Sequence, residues 1–133
     1  MMIIYKPQFF TQKEFACKCG CGFCSPATPL VLALDYLRRL WGSPVIINSG
    51  CRCASHNASV GGALQSRHLV GLAADIRPRD MEMFSAFDSL VCAAFGGLSG
   101  WELKIYDRFI HLAIPRGDFP VWSGGKIYFD AKA

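Results

Sequence analysis

The sequence predicts an α+β domain, with helices packed on one face of a small, mainly antiparallel sheet. Three observations carry that expectation. Residues 25–42 repeat apolar side chains at helical spacing, residues 79–95 form a second apolar helical pattern, and residues 101–106 and 108–114 read as two strands joined by a tight turn at Asp107. With no internal repeat and no linker, residues 1–133 form a single domain, long enough for an ordinary hydrophobic core.

The elements follow in order. In residues 9–15, Thr11 stands three places before Glu14, a capping-box pattern that predicts a short helical turn. The helix of residues 25–42 has Thr28 as a cap, Pro29 at its first position and Gly42 at its end. Its stripe Leu30, Leu34, Leu37 and Trp41 is core rather than a cofactor box. Residues 44–48 make a β-branched strand. Residues 49–66 make a long polar connection with a short helix near residues 56–60, and loops of that length often carry function. Residues 72–76 are a strand. Residues 79–95 are the second helix, closed by Gly96 and Gly97, with Cys92 in its apolar pattern and so expected in the core. Residues 124–129 suggest an edge strand.

Composition narrows the class. Hydrophobic residues are 52% and charged residues 18%, which fits a globular chain and not a disordered one. A net charge of +4 suits an anionic partner such as a cell wall, although it also serves solubility. No basic run interleaved with aromatics points to nucleic acid. No stretch of about 18 apolar residues predicts a membrane span. The segment from Met1 to Pro7 lacks the apolar region of a secretory signal. The expectation is therefore synthesis in the cytoplasm, and a monomer.

The chemistry concentrates in Ser66-Arg67-His68-Leu69-Val70-Gly71-Leu72-Ala73-Ala74-Asp75. A histidine nitrogen and a carboxylate oxygen are both suitable zinc ligands. His111, in a second apolar strand, offers a third. A His/Asp/His set leaves a fourth position open, as a catalytic zinc requires. A lone histidine on an apolar strand is usually just packed. Here, however, Asp75 closes an apolar run where an unpaired carboxylate is costly to bury, and ligation would offset that cost.

The seven cysteines add a second question. Cys17, Cys19, Cys21 and Cys24 lie within eight residues, Cys51 and Cys53 flank Arg52, and Cys92 stands alone. An odd count excludes complete intrachain pairing. Cys17, Cys19, Cys21, Cys24 and Cys53 are candidates for a structural cluster. A second metal, a disulfide and free thiols all remain open.

The pattern Ser-x-His-x-x-Gly-x-Ala-x-Asp, met by Ser66, His68, Gly71, Ala73 and Asp75, resembles the signature of the zinc D-alanyl-D-alanine carboxypeptidases and related peptidoglycan peptidases, which share their fold with hedgehog domains. Residues 47–57, Ile-Asn-Ser-Gly-Cys-Arg-Cys-Ala-Ser-His-Asn, are similar to that family's "ITSGYRCxxHN" segment, and a "CxCGCG" segment before it also occurs in relatives. The resemblance implies a hedgehog/DD-peptidase-like fold, a zinc held by His68, Asp75 and His111, and a cleft floored by the sheet. It implies that Arg52 points into the cleft to bind the substrate, and that Ser66 orients its loop and contacts substrate. It also implies that the two cysteine segments lie together. The alternative for Arg52 is a structural ion pair.

Hydrolysis of an amide also needs a proton shuttle. Many relatives carry Glu-x-x-His at the last ligand, but this chain has Arg108 three places before His111. Phage relatives carry the acid in a hairpin reading "QLIYE…WVHVSF", which residues 103–114 resemble in a shortened form. That alignment makes Asp107 the first candidate for the base and Glu102 the second, with Asp107 as a plain turn residue the alternative. The implied activity is zinc-dependent hydrolysis of peptidoglycan stem peptides, as a carboxypeptidase or an L-Ala-D-Glu or cross-bridge endopeptidase. A phage endolysin or tail-associated lytic domain would act on the wall after release or phage delivery. The competing readings are a non-catalytic zinc-containing binding module and a phage structural protein.

Overall fold

The computed structural model describes residues 2–130. Six strands and three α-helices follow in the order β1 (Met2–Tyr5), α1 (Thr28–Trp41), β2 (Val45–Ser49), α2 (Ala54–Ser59), β3 (Ala73–Pro78), α3 (Phe84–Phe95), β4 (Glu102–Ile105), β5 (Ile110–Ala113) and β6 (Ile127–Asp130). Short 3-10 turns occupy Gln12–Phe15, Arg67–Val70 and Met81–Met83.

The main sheet is antiparallel throughout, in the order β2-β3-β5-β4. Side chains alternate between its faces. One face carries Ala74, Ile76, Ile110 and Leu112, all fully buried with Phe87 and Val91 of α3 and Leu30, Leu34 and Leu37 of α1. Trp41 meets Phe87 edge to face, with ring centres 5.2 Å apart, and joins the two helices. The opposite face carries the polar row described below. Thus the sheet has a core side and a chemical side.

Four expectations change. Thr28 does not cap α1: Ala27 holds the cap position without a side-chain bond, and Thr28 is the first helical residue. Its amide instead donates to the Pro120 carbonyl at 2.8 Å, because residues 120–122 pair with the chain entering the helix. The second helix starts at Phe84 rather than at residue 79, since the Asp80 carboxylate caps a separate 3-10 turn by accepting from the Glu82 amide. Cys92 is exposed, lying off the Phe87–Val91–Phe95 stripe with its thiol 3.2 Å from Asp88. The final strand is not an edge of the main sheet. It pairs with β1 in a separate two-stranded sheet. Asp35, fully buried on α1, ties that N-terminal segment down by accepting from the Tyr5 hydroxyl and from the amides of Gln8 and Phe9.

Candidate functional site

Register builds the site. Asp75 on β3 stands directly opposite His111 on β5, and His111 stands opposite Lys104 on β4. Ser49 on β2 faces Asp75 from the other side, after an irregularity in the β2–β3 register. The row Ser49, Asp75, His111, Lys104 therefore crosses four strands on one face.

His68 reaches that row from the 3-10 turn before β3. The Ser66 hydroxyl caps this turn by accepting from the His68 amide at 3.2 Å. Gly71 ends it at φ +74°, a left-handed conformation that disfavours side chains, and a Cβ there would collide with the Ser25 carbonyl. The His68 ring is buried, with Nδ1 2.6 Å from the Gly50 carbonyl and Nε2 3.1 Å from Asp75 Oδ1. His111 Nδ1 is also 3.1 Å from Asp75 Oδ1.

These three side chains present two imidazole nitrogens and one carboxylate oxygen within 4.8 Å of one another. The donor chemistry fits zinc. The outer contacts fit too. The Gly50 carbonyl accepts from His68 Nδ1–H and leaves Nε2 free to ligate. Glu102 Oε1, 2.9 Å from His111 Nε2, does the same for Nδ1.

Electrostatics favour the ligating form of the carboxylate and oppose it at His111. Burial pushes the Asp75 carboxyl up, but hydrogen bonds from His111 and His68 overcome this and bring it to about 2. Burial pushes His111 down, yet its bonds to Asp75 and Glu102 raise it above the ordinary histidine value. Burial likewise opposes ionisation of Glu102, but the His111 bond and the Arg67 charge hold it below the usual carboxylate range.

Arg52 lines the cleft and also makes the ion pair that was the alternative to a substrate contact. Nε donates to Ser49 Oγ at 2.9 Å, Nη1 to Asn57 Oδ1 at 3.2 Å and Nη2 to Asp75 Oδ2 at 2.9 Å. It lines the cleft, but three of its N–H groups hold protein atoms. Ser66 both caps the His68 turn and lines the cleft.

The two candidate bases separate. Glu102, on the His111 face of β4, lines the cleft beside the ligand set. Asp107 does not line it. It sits exposed in the turn between β4 and β5, where the shortened hairpin leaves no strand to aim it inward. Tyr106 takes the inward place and stacks on Phe109, with ring centres 4.7 Å apart.

Sequence reasoning passed over Arg67. Its Nη1 donates to the carbonyls of Gly100 and Ile114, while its buried Nε has no hydrogen-bond partner and faces Glu102 Oε2 at 3.7 Å. Its signal was its place between Ser66 and His68. Lys104 was also missed, although period-two alternation from Glu102 puts it on the same face.

The cysteines divide. Cys17, Cys19, Cys21 and Cys53 bring their sulfurs within 4.8 Å of one another. Cys24 stands apart from them, its thiol donating to the Gln12 carbonyl at 2.9 Å. Cys51 is buried and its sulfur accepts from the Ser25 amide. No helix among the described residues is long and apolar enough to cross a membrane.

No curated protein matches the chain. The family profile described as Peptidase M15 matches residues 8–113, which span the cysteine segment, α1 and every side chain of the ligand set. With its α+β, hedgehog/DD-peptidase-like fold, the chain belongs to the peptidase M15 family of D-Ala-D-Ala carboxypeptidase-like zinc peptidases.

Proposed function

We propose that the protein cleaves peptide bonds in peptidoglycan stem peptides, with Glu102 carrying the proton. The observation that supports this most is the convergence of His68, Asp75 and His111 beside an ionised carboxylate on the floor of an open cleft. Zinc held by those three residues would supply a Lewis acid for the scissile carbonyl and a water of lowered pKa. Glu102 turns from His111 Nε2 to accept the proton of the attacking water and returns it to the departing amine. Arg67 keeps Glu102 ionised and in place. Arg52 fixes the Asp75 carboxylate and lines the cleft with Ser66.

The substrate class rests on charge and shape. Lys104 brings a cation to the cleft beside Arg52, which is paired with Asp75, and Tyr106 and Phe109 form an aromatic wall. Gly61 and Gly62 line the cleft without side chains between Val60 and Ala63. Such a groove admits a short extended peptide bearing free carboxylates, as a stem peptide does. The resemblance of the β4–β5 hairpin to phage relatives supports wall lysis by an endolysin or tail-associated lytic domain.

Mass spectrometry of purified peptidoglycan after digestion tests this. Zinc-loaded protein should create new peptide termini that a chelator abolishes, and the termini identify the bond. Unchanged fragments from walls of every common stem-peptide type would overturn the proposal and favour a non-catalytic binding module.

A further inference from the structure

We propose that Cys17, Cys19, Cys21 and Cys53 hold a second, structural zinc ion, separate from the His68–Asp75–His111 set. The geometry is that of four ligands around one centre. Cys19 Sγ lies 3.5 Å from Cys17 Sγ and 3.6 Å from Cys53 Sγ, and the Cys17–Cys53 separation is 3.9 Å. Zinc–thiolate bonds of about 2.3 Å in a tetrahedron give sulfur–sulfur edges of about 3.8 Å. A disulfide would draw one pair together and break this near-equality.

The local chain is shaped for convergence. Three of the thiols come from alternate positions in Cys17-Lys18-Cys19-Gly20-Cys21-Gly22. Gly20 and Gly22 adopt φ +83° and +92°, turns that fold the segment around its own sulfurs and that side chains disfavour. Backbone amides point at the sulfurs: Cys53 N donates to Cys17 Sγ, His56 N to Cys53 Sγ and Phe23 N to Cys21 Sγ. Such donors stabilise thiolates, the form that binds metal. With all four positions filled by sulfur, the ion would have no place for water and so no catalytic role.

Its consequence is mechanical. Gly50, Cys51, Arg52 and Cys53 run consecutively between the two centres. The Gly50 carbonyl meets His68 Nδ1, the Cys51 amide donates to the Phe15 carbonyl, Arg52 holds Asp75, and Cys53 joins the sulfur cluster. The second zinc would clamp residues 17–21 to this strap and so fix the outer contacts of both His68 and Asp75.

Metal counting on the full chain decides the matter. The zinc-loaded, desalted protein should carry two zinc ions per chain. Both His68→Ala and the double variant Cys19→Ser/Cys21→Ser, changed at two exposed positions, should carry one. Cobalt(II) distinguishes the sites. Strong thiolate-to-cobalt charge-transfer absorption should persist in His68→Ala and vanish in the cysteine variant. One zinc per wild-type chain, or a cobalt-loaded His68→Ala protein without thiolate absorption, would overturn the proposal. The second measurement needs no cysteine variant and holds even if that variant fails to fold.

Discussion

Arg52 Nη2 donates to Asp75 Oδ2 at 2.9 Å, on the side of the carboxylate turned away from the two imidazoles. One oxygen is thus held by a guanidinium while the other faces His68 and His111. Arg52 is therefore placed to position the candidate metal ligand Asp75. Arg52→Lys keeps the charge but loses the fork that also grips Ser49 and Asn57. Zinc affinity should fall by about 10–100-fold, the usual scale for an outer-shell partner. Chelator competition measures it. If zinc affinity is unchanged and only KM rises, Arg52 is a substrate contact alone.

Glu102 and Asp107 make opposite predictions. Glu102→Gln should retain zinc and lower kcat by about 100-fold or more, the scale of a lost acid–base group. Asp107→Asn should behave as wild type, because Asp107 sits in an exposed turn outside the cleft. Steady-state kinetics on a soluble stem peptide, with zinc counted in each variant, checks both. Zinc loss with unchanged kcat per bound metal would make Glu102 an orienter of His111 and not the base.

The candidate ligands His68 and Asp75 were legible because their spacing is local: a turn, a glycine and a strand bring them together within ten residues, whereas His111 joins them only through the β3–β5 register. The base was not. Asp107 and Glu102 lie five residues apart, and only the strand register decides which one faces His111. In the shortened hairpin the carboxylate that meets His111 comes from the strand and not from the turn. The β1–β6 sheet escaped notice for a related reason. Its partners sit at opposite ends of the chain, and pairing between them leaves no periodic trace. The burial of Asp35 left no mark in the sequence either, since nothing nearby announces the Tyr5 hydroxyl and the two amides that meet its carboxylate.

pH should act on zinc binding through His111. Its bonds to Asp75 and Glu102 raise its pKa above the ordinary 6.5, so a proton competes with zinc until pH exceeds that raised value. Zinc affinity should therefore weaken as pH falls through the neutral range, earlier than for an unperturbed histidine. Asp75, at about 2, stays ionised there and adds nothing. Stability of the chelated protein should run the other way. A raised histidine contributes fully below 6.5 and loses that contribution as pH rises through the folded value. Glu102→Gln removes one of the two carboxylates and should move both transitions to lower pH. Zinc competition and thermal melts across the range test the two signs, and a shift to higher pH would contradict this account.

Gly71 and Gly61 separate conformational strain from packing. Both adopt a left-handed backbone, at φ +74° and +73°. A Cβ on Gly61 would meet nothing within 4 Å, whereas on Gly71 it would strike the Ser25 carbonyl. Gly61→Ala should therefore cost only the left-handed penalty, about 1–2 kcal/mol. Gly71→Ala should add an overpacking cost of ~1–3 kcal/mol. The excess has a functional side, because Gly71 closes the turn that carries His68. Relieving the collision would move that turn away from residues 25–27, where the Ala27 amide donates to the Gly71 carbonyl at 2.9 Å. Gly71→Ala should thus lose zinc affinity as well as stability, and Gly61→Ala stability alone. Denaturant unfolding of the chelated proteins gives the first difference and zinc competition the second. Equal stability losses in the two variants would mean that the turn yields freely at Ser25.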